Sequence, residues 1–187
     1  MVKRKRQRQG ADRRLLAVIA VIGILAIAVP VLPYTGVLPA ATGPGPGSGP
    51  GSTLPGRAVP DQGRDHVLPG QPHPPYNTTP PTSGWHYPST ADWGIHTEPI
   101  PDELQVHNLE HGGILIQYNC QCPDLVEKLA AIVKRYPSHV ILAPYPKMPY
   151  RIALTAWTRI DTLDDFDEAR IVRFIEAYRM RGPENAP

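Results

Sequence analysis

Gly112-Gly113-Ile114-Leu115-Ile116-Gln117-Tyr118 is the stretch whose reading decides the fold class. A glycine pair turns the chain, and the short apolar run behind it reads as a strand. Downstream, Pro123 suits a first helical position, and Leu125, Leu129, Ile132 and Val133 recur on one helical face as far as Tyr136. Val140 to Ala143 is a second strand, stopped by Pro144 and Pro146, and Ile152 to Trp157 is a third. Asp165-x-x-Glu168 resembles a capping box, and Ile171, Phe174, Ile175 and Tyr178 make the core stripe of a last helix ended by Gly182-Pro183. The order β-α-β-β-α predicts an α+β domain with a helix-covered, mixed or antiparallel sheet. Upstream, residues 61–103 contain nine prolines and little periodicity, so they should wrap the core as ordered loops.

The N-terminal third is different in kind. Residues 1–14 hold seven basic side chains against the single acid Asp12, and the uncharged run Leu15 to Leu32 follows. At helical rise that run reaches about 27 Å, close to the ~30 Å hydrocarbon core. Backbone groups in lipid must bond internally, so residues 15–32 are expected to cross the bilayer as a helix. The basic head stays on the cytoplasmic side, which sends the C-terminal domain outward as a single-pass protein of the cytoplasmic membrane. A cleavable signal peptide is the rival reading, but its apolar run is usually shorter, about 7–15 residues. The only small-residue site, around Pro39-Ala40-Ala41, lies well past the run. Residues 33–60 are rich in proline, and Gly43 to Gly51 alternates Gly with Pro or Ser, which predicts an extended tether before a domain over 61–187. Without the head, residues 15–187 carry twelve basic and sixteen acidic side chains, a net charge of −4. Such a domain offers no basic surface for nucleic acid.

Seven histidines mark the domain: His66, His73, His86, His96, His107, His111 and His139. The dense patch is His107-Asn108-Leu109-Glu110-His111. On one helical turn His107 and His111 face the same way, the spacing with which two imidazoles chelate one ion. Glu110 beside them suits a ligand, an orienting partner or a base. His86, in the proline-stiffened Pro80-Pro81-Thr82-Ser83-Gly84-Trp85-His86, is the candidate third ligand. Neutral imidazoles suit copper or zinc. The plainer account has these imidazoles bonding loop carbonyls and bracing the wrap, and for His66, His73 and His139 it is the expected one. His107-x-x-Glu110-His111 also matches the H-x-x-E-H pattern of metalloproteases, in which Glu110 would be catalytic, but that pattern requires a long helix and glycines follow at once.

Cys120-Gln121-Cys122 closes the first strand. Export favours oxidation, yet a bond between cysteines two apart forces a small ring, away from the ~5.5–6 Å Cα separation usually found. The pair also suits a soft ion or a buried turn, and a helix start beside Cys122 would make it reactive. Met148 reads as a turn filler with a lesser reading as a copper ligand, and Asn77-Thr78-Thr79 as an accidental sequon.

Tyr76 to His86 with its Pro-Pro-Thr-Ser-Gly-x-His core, Trp93-Gly94, Val106-His107-Asn108-Leu109-Glu110-His111-Gly112-Gly113 and Ile152 to Trp157 together resemble the bacterial domain of unknown function family numbered 3105. The resemblance covers roughly residues 60–185 and implies a membrane helix and short linker before the domain. It implies no activity, and it puts His86, His107, Glu110 and His111 within the signature strings. Three functions follow as alternatives: a membrane-tethered copper or zinc binding module, a metallohydrolase of the cell envelope, and a scaffold whose histidines only brace loops. The topology has a direct check. The full chain should stay in the membrane through carbonate extraction, and protease supplied from outside the cytoplasmic membrane should remove the domain. A carbonate-soluble chain shortened at its N-terminus would identify cleavage instead.

Overall fold

A computed structural model describes residues 54–184. The basic head, the apolar run 15–32 and most of the tether lie outside the described residues, and among these no helix is long and apolar enough to cross a membrane. The elements are β1 (Arg57–Ala58), β2 (Gly94–Ile95), α1 (Asp102–Glu110), β3 (Ile114–Tyr118), α2 (Pro123–Val133), β4 (Val140–Pro144), β5 (Ile152–Ala156), β6 (Arg159–Leu163) and α3 (Glu168–Tyr178). The class is α+β, and the sheet is mixed. Its six strands run β1-β6-β5-β3-β4-β2. β3 pairs in parallel with β4 and antiparallel with β5, β4 pairs in parallel with β2, and the other pairings are antiparallel.

Both faces of the central strands are covered, which is why they read as unbroken apolar runs. Ile114 and Ile116 point with Leu142, Ile152 and Leu154 toward the stripes of α2 and α3. Leu115 points with Ile141 and Ala143 the other way, onto Leu109 of α1, Ile100 and the partly buried Trp93. α2 and α3 follow their apolar spacing. α1 does not, because Gln105, Val106, His107, Asn108, Leu109 and Glu110 are all buried whatever their polarity. With no apolar stripe, periodicity cannot find it.

Several expectations need correction. Arg57 and Ala58, assigned to the tether, pair with Ile160 and Arg159, and Val59 is buried. The hairpin partner of β5, β6, carries no apolar run, since Arg159-Ile160-Asp161-Thr162-Leu163 has only two apolar residues, three apart, and a buried carboxylate between them. Asp161 takes a two-point hydrogen bond from Arg170 of α3. The last helix is capped by Asp167, whose carboxylate accepts from the Arg170 N–H at 3.0 Å, and Asp165 is exposed beside Arg151. That helix ends at Tyr178, before Gly182.

Gly182 has a separate task. The chain after α3 returns across the end of α1: Met180 N–H donates to the Gly112 carbonyl at 2.8 Å and Glu184 N–H to the Glu110 carbonyl at 3.1 Å. A Cβ on Gly182 would run into the Glu110 carbonyl and the Gly112 nitrogen. Gly112, at φ +77°, is equally confined by the backbone of residues 180–182, and a Cβ on Gly113 would meet the Asn108 carbonyl at 2.5 Å and the Trp93 ring at 2.7 Å. Gly182→Ala should therefore destabilise the domain by about 1–3 kcal/mol, read by urea unfolding. A change near zero would show that the strap is not held as described.

His139 is buried at the start of β4, stacked on Trp93 with ring centroids 4.7 Å apart. Desolvation first, then Arg179 and His111, holds its pKa below the ordinary value. The unfolded chain then takes the proton first, at about pH 6.5. The stability this neutral ring contributes is whole above that pH and is lost as the pH falls toward the folded pKa. His139→Asn, which tolerates the left-handed backbone at φ 60°, should shrink the loss of unfolding free energy between pH 7.5 and pH 5.5. An unchanged slope would contradict this account.

Candidate metal centre

The carboxyl end of α1 meets the proline-rich wrap, and the histidines meet there. The wrap is built to hold its place: His86 N–H donates to the Asp65 carbonyl at 3.1 Å and Val67 N–H to the His86 carbonyl at 2.8 Å, a parallel bridge between His66 and His86. Gly84 N–H donates to the Gly63 carbonyl at 3.0 Å. The Tyr76 hydroxyl donates to the Trp85 carbonyl. Asn108, fully buried on α1, bonds the Ala91 backbone at both donor and acceptor, each at 2.9 Å. Two sides of the site are thereby fastened to the helix that carries the third.

His86 is fully buried, and its Nδ1–H donates to the Gly84 carbonyl at 2.8 Å. His107 is buried likewise, and its Nδ1–H donates to the Tyr87 carbonyl. Each bond selects the tautomer that leaves a lone pair on Nε2. Desolvation above all depresses the His86 pKa, outweighing the Gly84 carbonyl and the Glu110 carboxylate, which favours the neutral ring. Its Nε2 lies 2.9 Å from Oε2 of Glu110, near enough for an ion pair, yet neither atom has a hydrogen-bond partner. An acceptor nitrogen and an acceptor oxygen thus face each other in a buried space. Such a pair is repulsive unless a cation or proton lies between them.

The nitrogens of His66, His86 and His107 and a Glu110 oxygen all lie within 4.8 Å of one another. Four ligands about 2.0–2.2 Å from one tetrahedral ion stand about 3.4 Å apart, so the cluster would have to close by up to about 1.4 Å around an ion. His66 stacks on His107 at 5.2 Å and meets His86 edge-on at 4.8 Å. Its exposed ring forms the open side of the cluster. His107 Nε2 is 2.8 Å from His111 Nε2, which donates to it. A second group, Glu110, His111 and Glu184, meets the same 4.8 Å limit. Arg64 Nε, half exposed, is 3.8 Å from Oε1 of Glu110 and is largely screened. The helix end adds its own field, because the aligned peptide dipoles leave partial negative charge at a C-terminus.

The four residues named from the sequence, His86, His107, Glu110 and His111, lie together. His66, expected to be a bracing or surface residue, belongs with them, and only the long-range bridge to His86 brings it in. No local pattern around Arg64-Asp65-His66 signals it. Glu184 was also missed, since it arrives by the strap. His73 instead contacts Glu103 at 3.3 Å, and His96 donates to the Asp92 carbonyl at 2.7 Å. α1 stops at Glu110 and His111 is its cap, so H-x-x-E-H has no continuous helix here, and Glu110 turns to His86. Sulfur stays away. Met148 packs with Tyr145 and Ala153. Cys120 and Cys122 are disulfide-bonded with Cα atoms 5.4 Å apart, contrary to the expectation that such a small ring would lie far from the usual separation. Cα atoms two residues apart span about 5–7 Å in any trans chain, so this spacing already reaches the usual range.

Among curated proteins and among solved structures, none matches this chain. The family described as protein of unknown function (DUF3105) matches residues 69–187, which include His86, His107, Glu110 and His111 but begin after His66. The chain belongs to that family.

Proposed function

We propose that the domain is a binding module for one divalent transition-metal ion, tethered by residues 15–32 to the outer face of the cytoplasmic membrane. His86 Nε2, His107 Nε2 and Glu110 Oε2 are the ligands, and His66 or His111 completes the set. One observation carries this reading: His86 Nε2 and Glu110 Oε2 are buried, 2.9 Å apart and without hydrogen-bond partners. The Nδ1–H bonds of His86 and His107 to backbone carbonyls support it, since metal-bound imidazoles commonly donate their other N–H in this way. A set of imidazoles and one carboxylate suits zinc or copper(II). Copper(I) is disfavoured, because neither cysteine belongs to the cluster and Met148 packs with Tyr145 and Ala153. The ligand role given to Glu110 sets the reading apart from a hydrolase, which needs that carboxylate as a free base.

Titration of the purified full chain with zinc, followed by calorimetry, should give one site with micromolar or tighter affinity. Zinc at about a hundredfold over Kd should stabilise the fold by about 2.7 kcal/mol. His86→Ala and the pair His107→Ala/His111→Ala should abolish both effects. Weaker binding, or equal binding by these variants, would overturn the proposal. A scaffold role predicts the opposite pattern: chelator without effect on wild-type melting, and lowered melting in the variants. Affinity should also fall from pH 7 to pH 5, as protons compete for the imidazoles.

A further inference from the structure

The other end of β3 carries chemistry that the metal reading does not use. Cys120 and Cys122 are joined there, both partly exposed, between the last residue of β3 and the first turn of α2. They border a cavity of about 890 Å³ that Glu98, Tyr118, Val126 and Pro146 also line. The cavity opens at the carboxyl ends of β3 and β4, the parallel pair joined through α2. In parallel α/β units that crevice is where ligands bind.

A structural staple is a poor account of this bond. Cross-links stabilise chiefly by the length of loop they close, and a separation of two residues is close to the minimum. The segments it joins are already secured. β3 is paired on both sides, and α2 is seated by Leu125, Leu129, Ile132 and Val133. Cys122 is the N-cap residue of α2, its carbonyl accepting from Leu125 and Val126 N–H at 3.1 Å each. A thiolate on Cys122 would sit at the positive end of that helix, which stabilises its negative charge and makes it the better leaving group.

We propose that Cys120–Cys122 is a thiol–disulfide exchange site whose substrate is a pair of cysteine thiols on an exported polypeptide. A substrate thiolate attacks Cys120 Sγ. The Cys120–Cys122 bond breaks, and its electron pair leaves on Cys122 Sγ. The second substrate thiol, deprotonated, then attacks the substrate sulfur of the mixed disulfide and releases the Cys120 thiolate. Two electrons and two protons pass to the protein. The substrate dithiol becomes a disulfide, and Cys120 and Cys122 become thiols. The cavity admits the extended substrate chain beside the bond.

The test uses the full oxidised chain, a synthetic peptide with two reduced cysteines, and dithiothreitol. Disulfide transfer to the peptide should run at least about tenfold faster than from equimolar oxidised glutathione. Dithiothreitol should reduce the bond while circular dichroism stays native. Cys120→Ser/Cys122→Ser should abolish transfer and melt within about 5 °C of wild type. Transfer no faster than from glutathione, reduction only on unfolding, or a larger fall in melting would each overturn the proposal. Zinc binding is read separately, so neither site's failure stands for the other's.

Discussion

The domain is organised around a junction that admits no side chains. Gly112 and Gly113 turn the chain from α1 into β3, and Gly182 in the returning strap presses against the same backbone. Because these three positions lack Cβ atoms, helix, strand and strap approach more closely than other residues allow. The carbonyls freed at the end of α1 then find partners in Gly113, Met180 and Glu184 N–H groups. That closeness aims the last turn of α1, with His107 and Glu110, at the wrap rather than at solvent.

The wrap and α1 bury polar groups that a purely structural element would avoid. Gln105, His107, Asn108 and Glu110 are all inside, and His86 is inside opposite them. Asn108 has partners for its donor and its acceptor, and Gln105 bridges Asp102 and Gln117. His86 Nε2 and Glu110 Oε2 do not. An unsatisfied buried polar atom costs about 1–3 kcal/mol. Two of them facing each other, Glu110 on α1 and His86 on the wrap, mark a locus where stability is given up for binding.

β3 separates two environments. At its amino end lie imidazoles, carboxylates and the negative end of a helix, a setting for cations. At its carboxyl end lie a disulfide and the positive end of another helix, a setting for thiolates. The five-residue strand between them spans roughly 16 Å, so the two chemistries do not share ligands.

Apolar patterning by itself determined β3, α2, β4, β5 and α3, because the helices carry a 3.6-residue stripe and the doubly covered strands carry short unbroken apolar runs. The sequence also picked out His107, Glu110 and His111 by residue type and helical spacing, and His86 by its proline-stiffened setting. Local pattern says nothing where partners are remote. β1 needs β6, Arg159–Leu163 needs Arg170 and β5, and α1 is buried on sides that no periodicity separates. The Cys120–Cys122 bond depends on the backbone path between β3 and α2. Only the tertiary structure brought His66 to His86 through a bridge twenty residues long, and Glu184 to His111 through the strap. Those contacts arise from chain closure, which residue order encodes but no short window displays.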